Sequence, residues 1–190
     1  MELQSSLTRR LLGRREDALR VAQELGLKVT ASLAARALGE RLPAERGELA
    51  SWQVDVLAAI IERLCRYDAP DMPAPDQCGA LEAALGFISH MPEESRAALS
   101  DLLTVFEIGP YVLGPGRERF SALDATSRDA YLASWEGSSL PPRRAAFRAL
   151  KSACMMGYWT RPQTWSAIGY SIDDNPGVPL HLRSPRSRLS

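Results

Sequence analysis

Residues able to do chemistry are thinly scattered along this chain of 190 residues. Gly109, Gly114 and Gly116 could cradle a phosphate, but their G-x4-G-x-G spacing fits neither GxGxxG nor GxxxxGK-S/T. No strand pattern precedes them, and the stretch reads as a turn. The two histidines, His90 and His181, stand apart from each other and from any nucleophile; His90 precedes Met91-Pro92 at a helix start. Asp173 and Asp174 form an acidic pair that reads as a turn, not a metal site. Glu93 and Glu94 follow Pro92 in the first turn of a helix, where they complement the dipole instead of forming a catalytic carboxylate pair. The three cysteines, Cys65, Cys78 and Cys154, lack CxxC or CxxCH spacing, which excludes c-type haem attachment and argues against zinc. Cys65 and Cys154 fall on apolar faces and are expected to behave as small buried hydrophobes. No catalytic, cofactor-binding or metal-binding residue is assigned to this chain.

Charge offers a second route to function. The total is balanced, 23 basic against 23 acidic residues, so no global pull toward nucleic acid or membrane is expected. The distribution is uneven: residues 31–110 hold 6 Arg/Lys against 13 Asp/Glu, and residues 111–190 hold 11 against 6. Arg9, Arg10, Arg14, Arg15 and Arg20 could face phosphates, but Glu16, Asp17 and Glu24 interrupt the cluster. Thr8-Arg9-Arg10-Leu11-Leu12 resembles a twin-arginine box, yet charged Gly13-Arg14-Arg15-Glu16-Asp17 stands where an apolar export segment would follow. No transmembrane run occurs. A cytoplasmic location is the default expectation, with co-export to the periplasm alongside a partner as the alternative.

The elements that must position these residues are helical. Leu7, Leu11, Leu12, Leu19 and Val21 give residues 5–25 a thin apolar stripe, and Thr30 and Gly39 bracket a second helix. Leu57, Ile60, Ile61 and Leu64 form the clearest stripe, at i, i+3, i+4, i+7. Three prolines and three aspartates make 67–78 a loop or linker. Further helices run through Leu81, Leu85 and Ile88, and through Leu99, Leu102, Leu103 and Phe106 as far as the turn at Gly109-Pro110. Asp124 or Thr126 caps the next helix, which ends near Trp135; Pro141-Pro142 start another, and Arg161-Pro162 end it. The expected fold is all-α: one irregular domain of six to eight helices over 51–170, peripheral N-terminal helices over 1–50, and an extended Pro/Arg-rich tail over 171–190.

One stretch stands out. Residues 147–170 gather Phe147, Tyr158, Trp159, Trp165 and Tyr170 with no reactive group beside them. Phe147 is expected in the chain's own core. Tyr158 and Trp159 are adjacent and must point to different sides of a helix, so one of them faces solvent or a partner.

The pattern from Phe120 to Tyr170 is more specific: Phe120, Leu123, Arg128, Leu132, Trp135, Arg143-Arg144, Phe147, Lys151, Tyr158, Pro162, Trp165 and Gly169-Tyr170 follow in order. It resembles the small subunit of membrane-associated flavin dehydrogenases of the gluconate 2-dehydrogenase subunit 3 type. It is also similar to the N-terminal helical region of long-chain alcohol oxidases of the glucose–methanol–choline (GMC) family. About a quarter of the chain carries this resemblance. It implies a non-catalytic accessory subunit that helps a GMC-type large subunit to fold, assemble or be exported. FAD and the catalytic machinery would then belong to that partner, and a cytochrome would take the electrons. Because the sequence ends 20 residues after Tyr170, the flavin domain is expected on a separate polypeptide.

The residues expected to meet the partner are Arg143, Arg144, Trp159, Trp165 and Tyr170, since aromatics and arginines anchor interfaces. Arg143 and Arg144 oppose the dipole of their helix, so pairing with carboxylates, here or on the large subunit, is the expected compensation. The tail is expected to order against the same partner. The alternative function is a free-standing helical interaction or regulatory module that binds an acidic protein or nucleic acid.

Overall fold

The computed structural model describes residues 48–113 and 118–170, which form six α-helices and one 3-10 turn, with no strand among the described residues. The helices are α1 Ser51–Leu64, α2 Ala80–Ser89, α3 Glu93–Leu113, α4 Ala125–Glu136, α5 Pro141–Trp159 and α6 Pro162–Ala167. The 3-10 turn Phe120–Ala122 lies between α3 and α4. The all-α expectation therefore holds. The expected helices of the first 47 residues and the tail after Tyr170 lie outside the described residues.

Local chemistry explains the helix boundaries. α1 opens with Gln53 reaching back so that its Oε1 accepts from the Ala50 N–H at 2.9 Å. Asp124 caps α4 by accepting from the Ser127 N–H at 2.9 Å and its hydroxyl at 2.8 Å, which holds the Asp124 carboxyl below its usual range. α5 and α6 both begin on proline, which needs no partner for the N–H it lacks.

Packing is organised by α5. Its buried row of Phe147, Leu150, Cys154 and Tyr158 meets Val56, Leu57, Ile60 and Ile61 of α1 and continues into α2. The α2–α5 contact is unusually close because small residues face each other across it. A Cβ built on Gly157 would lie 2.5 Å from the Ala80 carbonyl oxygen and 2.6 Å from the Ala84 Cβ. α3 lies against α1 through a buried polar bridge: Gln53 Nε2 donates to the Ser100 carbonyl at 2.8 Å and to Ser100 Oγ and Thr104 Oγ1 at 3.0 Å. One side chain thus starts α1 and aligns it with α3. On the outside, Arg63 of α1 grips Asp129 of α4 with Nε at 2.8 Å and Nη2 at 2.6 Å, a two-pronged pair that holds the Asp129 carboxyl below its usual range.

Two local expectations need correction. α3 does not end at Gly109-Pro110 but continues to Leu113 with Pro110 inside it. The missing N–H falls in the last turn, behind turns anchored by buried Leu102, Leu103 and Phe106. The turn after Arg161-Pro162 is the short helix α6. The Pro/Asp stretch 67–78 is a loop, as expected, and it is packed in place: Cys78 is buried and Met72 packs on the core.

The glycines give a paired test. Gly157→Ala is expected to cost about 2 kcal/mol or more, because rigid backbone and a Cβ block the new methyl. Gly86→Ala, in α2 with open space around it, is expected to gain about 0.5–1 kcal/mol. Denaturant titration of both variants measures the opposite signs.

Candidate partner-binding surface

The residues expected at an interface occur in two groups, one at each end of α5. At about 1.5 Å rise per residue, about 24 Å of helix axis separates Arg143 from Trp159. They do not form one constellation.

At the N-terminal end, Arg143 and Arg144 fasten the connection between α4 and α5. The Arg143 guanidinium lies over the Trp135 ring at 4.7 Å from its centroid and donates to Ser134 Oγ at 2.9 Å. Arg144 donates to the Ser138 carbonyl. The contacts that compensate these arginines at a helix start thus include a ring face, a hydroxyl and a carbonyl of this chain.

Behind them is a packed aromatic group. Phe106 meets Phe120, Tyr131 and Trp135 with centroid separations of 4.8, 4.9 and 5.0 Å. Gly109 leaves room for the Tyr131 hydroxyl, which would lie 2.0 Å from a Cβ there. Burial pushes the Tyr131 hydroxyl's pKa up. Buried Glu107 holds the 3-10 turn by accepting from the Ser121 N–H at 3.0 Å and its hydroxyl at 2.6 Å. Arg128 adds a donation to the Ser121 carbonyl at 2.6 Å. These contacts join α3, the 3-10 turn and α4.

At the C-terminal end, the rings form a row. Tyr158 is completely buried, and its hydroxyl donates to the Pro73 carbonyl at 2.7 Å. Tyr67 packs on Tyr158 at 5.7 Å and on Trp159 at 5.5 Å, so the start and the middle of the 67–78 loop are tied to α5. Trp159, half-buried, is the member of the adjacent pair that reaches the surface. Its carbonyl, left without a helical partner at the end of α5, accepts from Trp165 Nε1 at 2.7 Å. Trp165 then meets Tyr170 edge-on at 5.8 Å.

The turn that aims Tyr170 depends on Gly169. Its φ of +68° is left-handed, and the Tyr170 N–H bonds back to the Trp165 carbonyl at 2.8 Å while the Gly169 N–H bonds to Ser166 at 3.1 Å. This is the Schellman closure, for which glycine is the least strained residue. Ile168, 57 % exposed, sits in the same turn, and Met156, Tyr67 and Tyr170 are also exposed. The sequence reading missed Tyr67, Met156 and Ile168; the apolar residues beside Gly169 were the one local clue.

Chemistry elsewhere is sparse. All three cysteines are free and buried; Cys65 Sγ lies 3.8 Å from the Cys154 carbonyl. Burial pushes the Cys65 thiol up to about 12 and raises the other two. His90 bonds through Nδ1 to the Gly86 carbonyl at 2.7 Å, as part of the end of α2. No group of three metal-ligating side chains occurs among the described residues, and no described helix is long and apolar enough to cross a membrane. No family model matches the chain, and the searches of curated proteins and of solved structures find no match.

Two outcomes follow from the buried ring and thiol. Tyr158→Phe leaves the Pro73 carbonyl without its donor, and is expected to cost about 1–2 kcal/mol and to speed proteolysis within 67–78. The stability contributed by the neutral Cys65 thiol is full below its ordinary value of 9.0 and is lost as pH rises toward about 12, because the unfolded chain releases a proton the folded chain keeps. Denaturation midpoints should therefore decrease as pH rises from about 9 toward about 12, with a shallower slope in Cys65→Ala.

Proposed function

We propose that this chain is a non-catalytic helical accessory subunit that binds and stabilises a GMC-type, FAD-dependent dehydrogenase or oxidase. The flavin resides in that partner, and a cytochrome subunit is the candidate electron acceptor. The observation that carries the reading is the exposure of Met156, Ile168 and Tyr170 at and just beyond the C-terminal end of α5, with Tyr67 exposed and packed on Trp159. They lie on or beside the 120–170 segment whose residue pattern resembles such subunits. Aromatic and methionine side chains backed by a rigid ring row are the residue types that lose least entropy when an interface forms. The binding surface is therefore assigned to Trp159, Trp165 and Tyr170 together with Met156 and Ile168. Arg143 and Arg144 serve it by fixing the other end of α5.

Co-expression with a candidate GMC flavoprotein, followed by affinity purification and an absorbance spectrum, tests this directly. A yellow complex is expected. Met156→Asp and Ile168→Asp should each reduce its recovery at least about tenfold, since each buries a charge in an apolar contact, while leaving the melting temperature of the isolated chain within a few degrees. A colourless preparation, or a complex indifferent to both substitutions, counts against the proposal. Salt-sensitive retention of the isolated chain on DNA would favour the nucleic-acid module instead.

A further inference from the structure

The described residues hold three cysteines and four methionines, and among these sulfur-bearing side chains Met156 alone is exposed. The cysteines are buried, which keeps their thiols protonated and so poorly nucleophilic. Met72, Met91 and Met155 are half-buried and pack against the core. Met155 is further occupied: its sulfur accepts from the Tyr67 hydroxyl at 3.8 Å, which engages a lone pair that an oxidant would need. Met156, the next residue, differs on each count. It is 44 % exposed and outside the packed core, and among the described residues no donor reaches its sulfur. Ser152 and Thr160, one turn before and after it on the same face of α5, are short and also exposed, so no large side chain screens it along the helix.

We infer that Met156 is a modification site: the first of these sulfurs to be oxidised by hydrogen peroxide, with its sulfoxide closing the partner-binding surface. The second half of this rests on the function proposed above; the first half does not. In the reaction a lone pair of the Met156 sulfur attacks one peroxide oxygen, and the S–O bond forms as the O–O bond breaks. The departing hydroxide takes the proton from the transferred oxygen and leaves as water. Sulfur loses two electrons and the peroxide gains them, so no further reactant is needed. The product carries a polar S–O group where a flexible apolar side chain stood. Burying that oxygen against an apolar partner face without a donor opposes the contact. Met155, on the adjacent side of the same turn, stays reduced and keeps the Tyr67 bond, so the fold itself is untouched.

Timed exposure of the full chain to dilute hydrogen peroxide, followed by digestion and fragment mass spectrometry, reads each site separately. Met156 is expected to take up oxygen at least about tenfold faster than Met72, Met91 and Met155, with the three thiols still reduced. Equal rates for Met155 and Met156, or thiols oxidised first, overturn the inference. The second arm is capture of the GMC flavoprotein. Peroxide-treated chain should be recovered with it at least about fivefold less, and methionine sulfoxide reductase should restore the recovery. In Met156→Leu the ratio of treated to untreated recovery should stay near one, whatever the starting value. Recovery that ignores oxidation at Met156, or that falls equally in Met156→Leu, overturns the inference. If untreated chain captures no flavoprotein, the accessory-subunit proposal is what fails, and the peptide map still decides whether Met156 is the modified sulfur.

Discussion

The close approach of α2 to α5 is the constraint on which the rest of this fold depends. Gly157 lets the backbone of α5 lie against Ala80 and Ala84, and the next residue, Tyr158, is thereby placed to bond the Pro73 carbonyl. That bond and the Tyr67 stack hold a proline-rich connection that has no regular ladder of its own. The two features cannot be separated: a wider helix spacing would pull the tyrosine hydroxyl away from its acceptor. The buried thiols of Cys65, Cys78 and Cys154 fill the space around the same contact as small apolar groups.

A second principle is economy in the polar interior. Gln53 caps α1 and aligns it with α3, and Glu107 fixes the 3-10 turn through both donors of Ser121. Arg128 reaches the same turn from α4. Gln53 and Glu107 are each matched by specific partners, so the register of the helices is set by hydrogen bonds as well as by shape. Arginines near the surface of this chain behave similarly. Arg143 and Arg144, interface residues by type, each also bond within the α4–α5 connection.

Helix boundaries were legible because they are local: Asp124, Pro141 and Pro162 act within one turn of themselves. The stripe of α1 and the burial of Phe147 were legible for the same reason, through periodicity. The loop at 67–78 was legible from its prolines and aspartates, but its packing was not, because that comes from Tyr158, which is distant in sequence. Pro110 signalled a stop that α3 overrides, since the anchoring of the earlier turns is a tertiary effect. Gly157 carried no local signal at all: a glycine in mid-helix looks like a weakness until its neighbour is known. At the candidate surface, Trp159 against Tyr158 was predictable as a pair with different exposures, whereas which of them is buried depended on the loop.

The thiols have one more consequence. With Cys65, Cys78 and Cys154 all enclosed around the meeting of α1, α2 and α5, chemical attack on any of them waits for those helices to part. The sulfur atoms therefore act as a built-in clock for the opening of the domain, silent while the helices stay together and started only by a fluctuation that separates them.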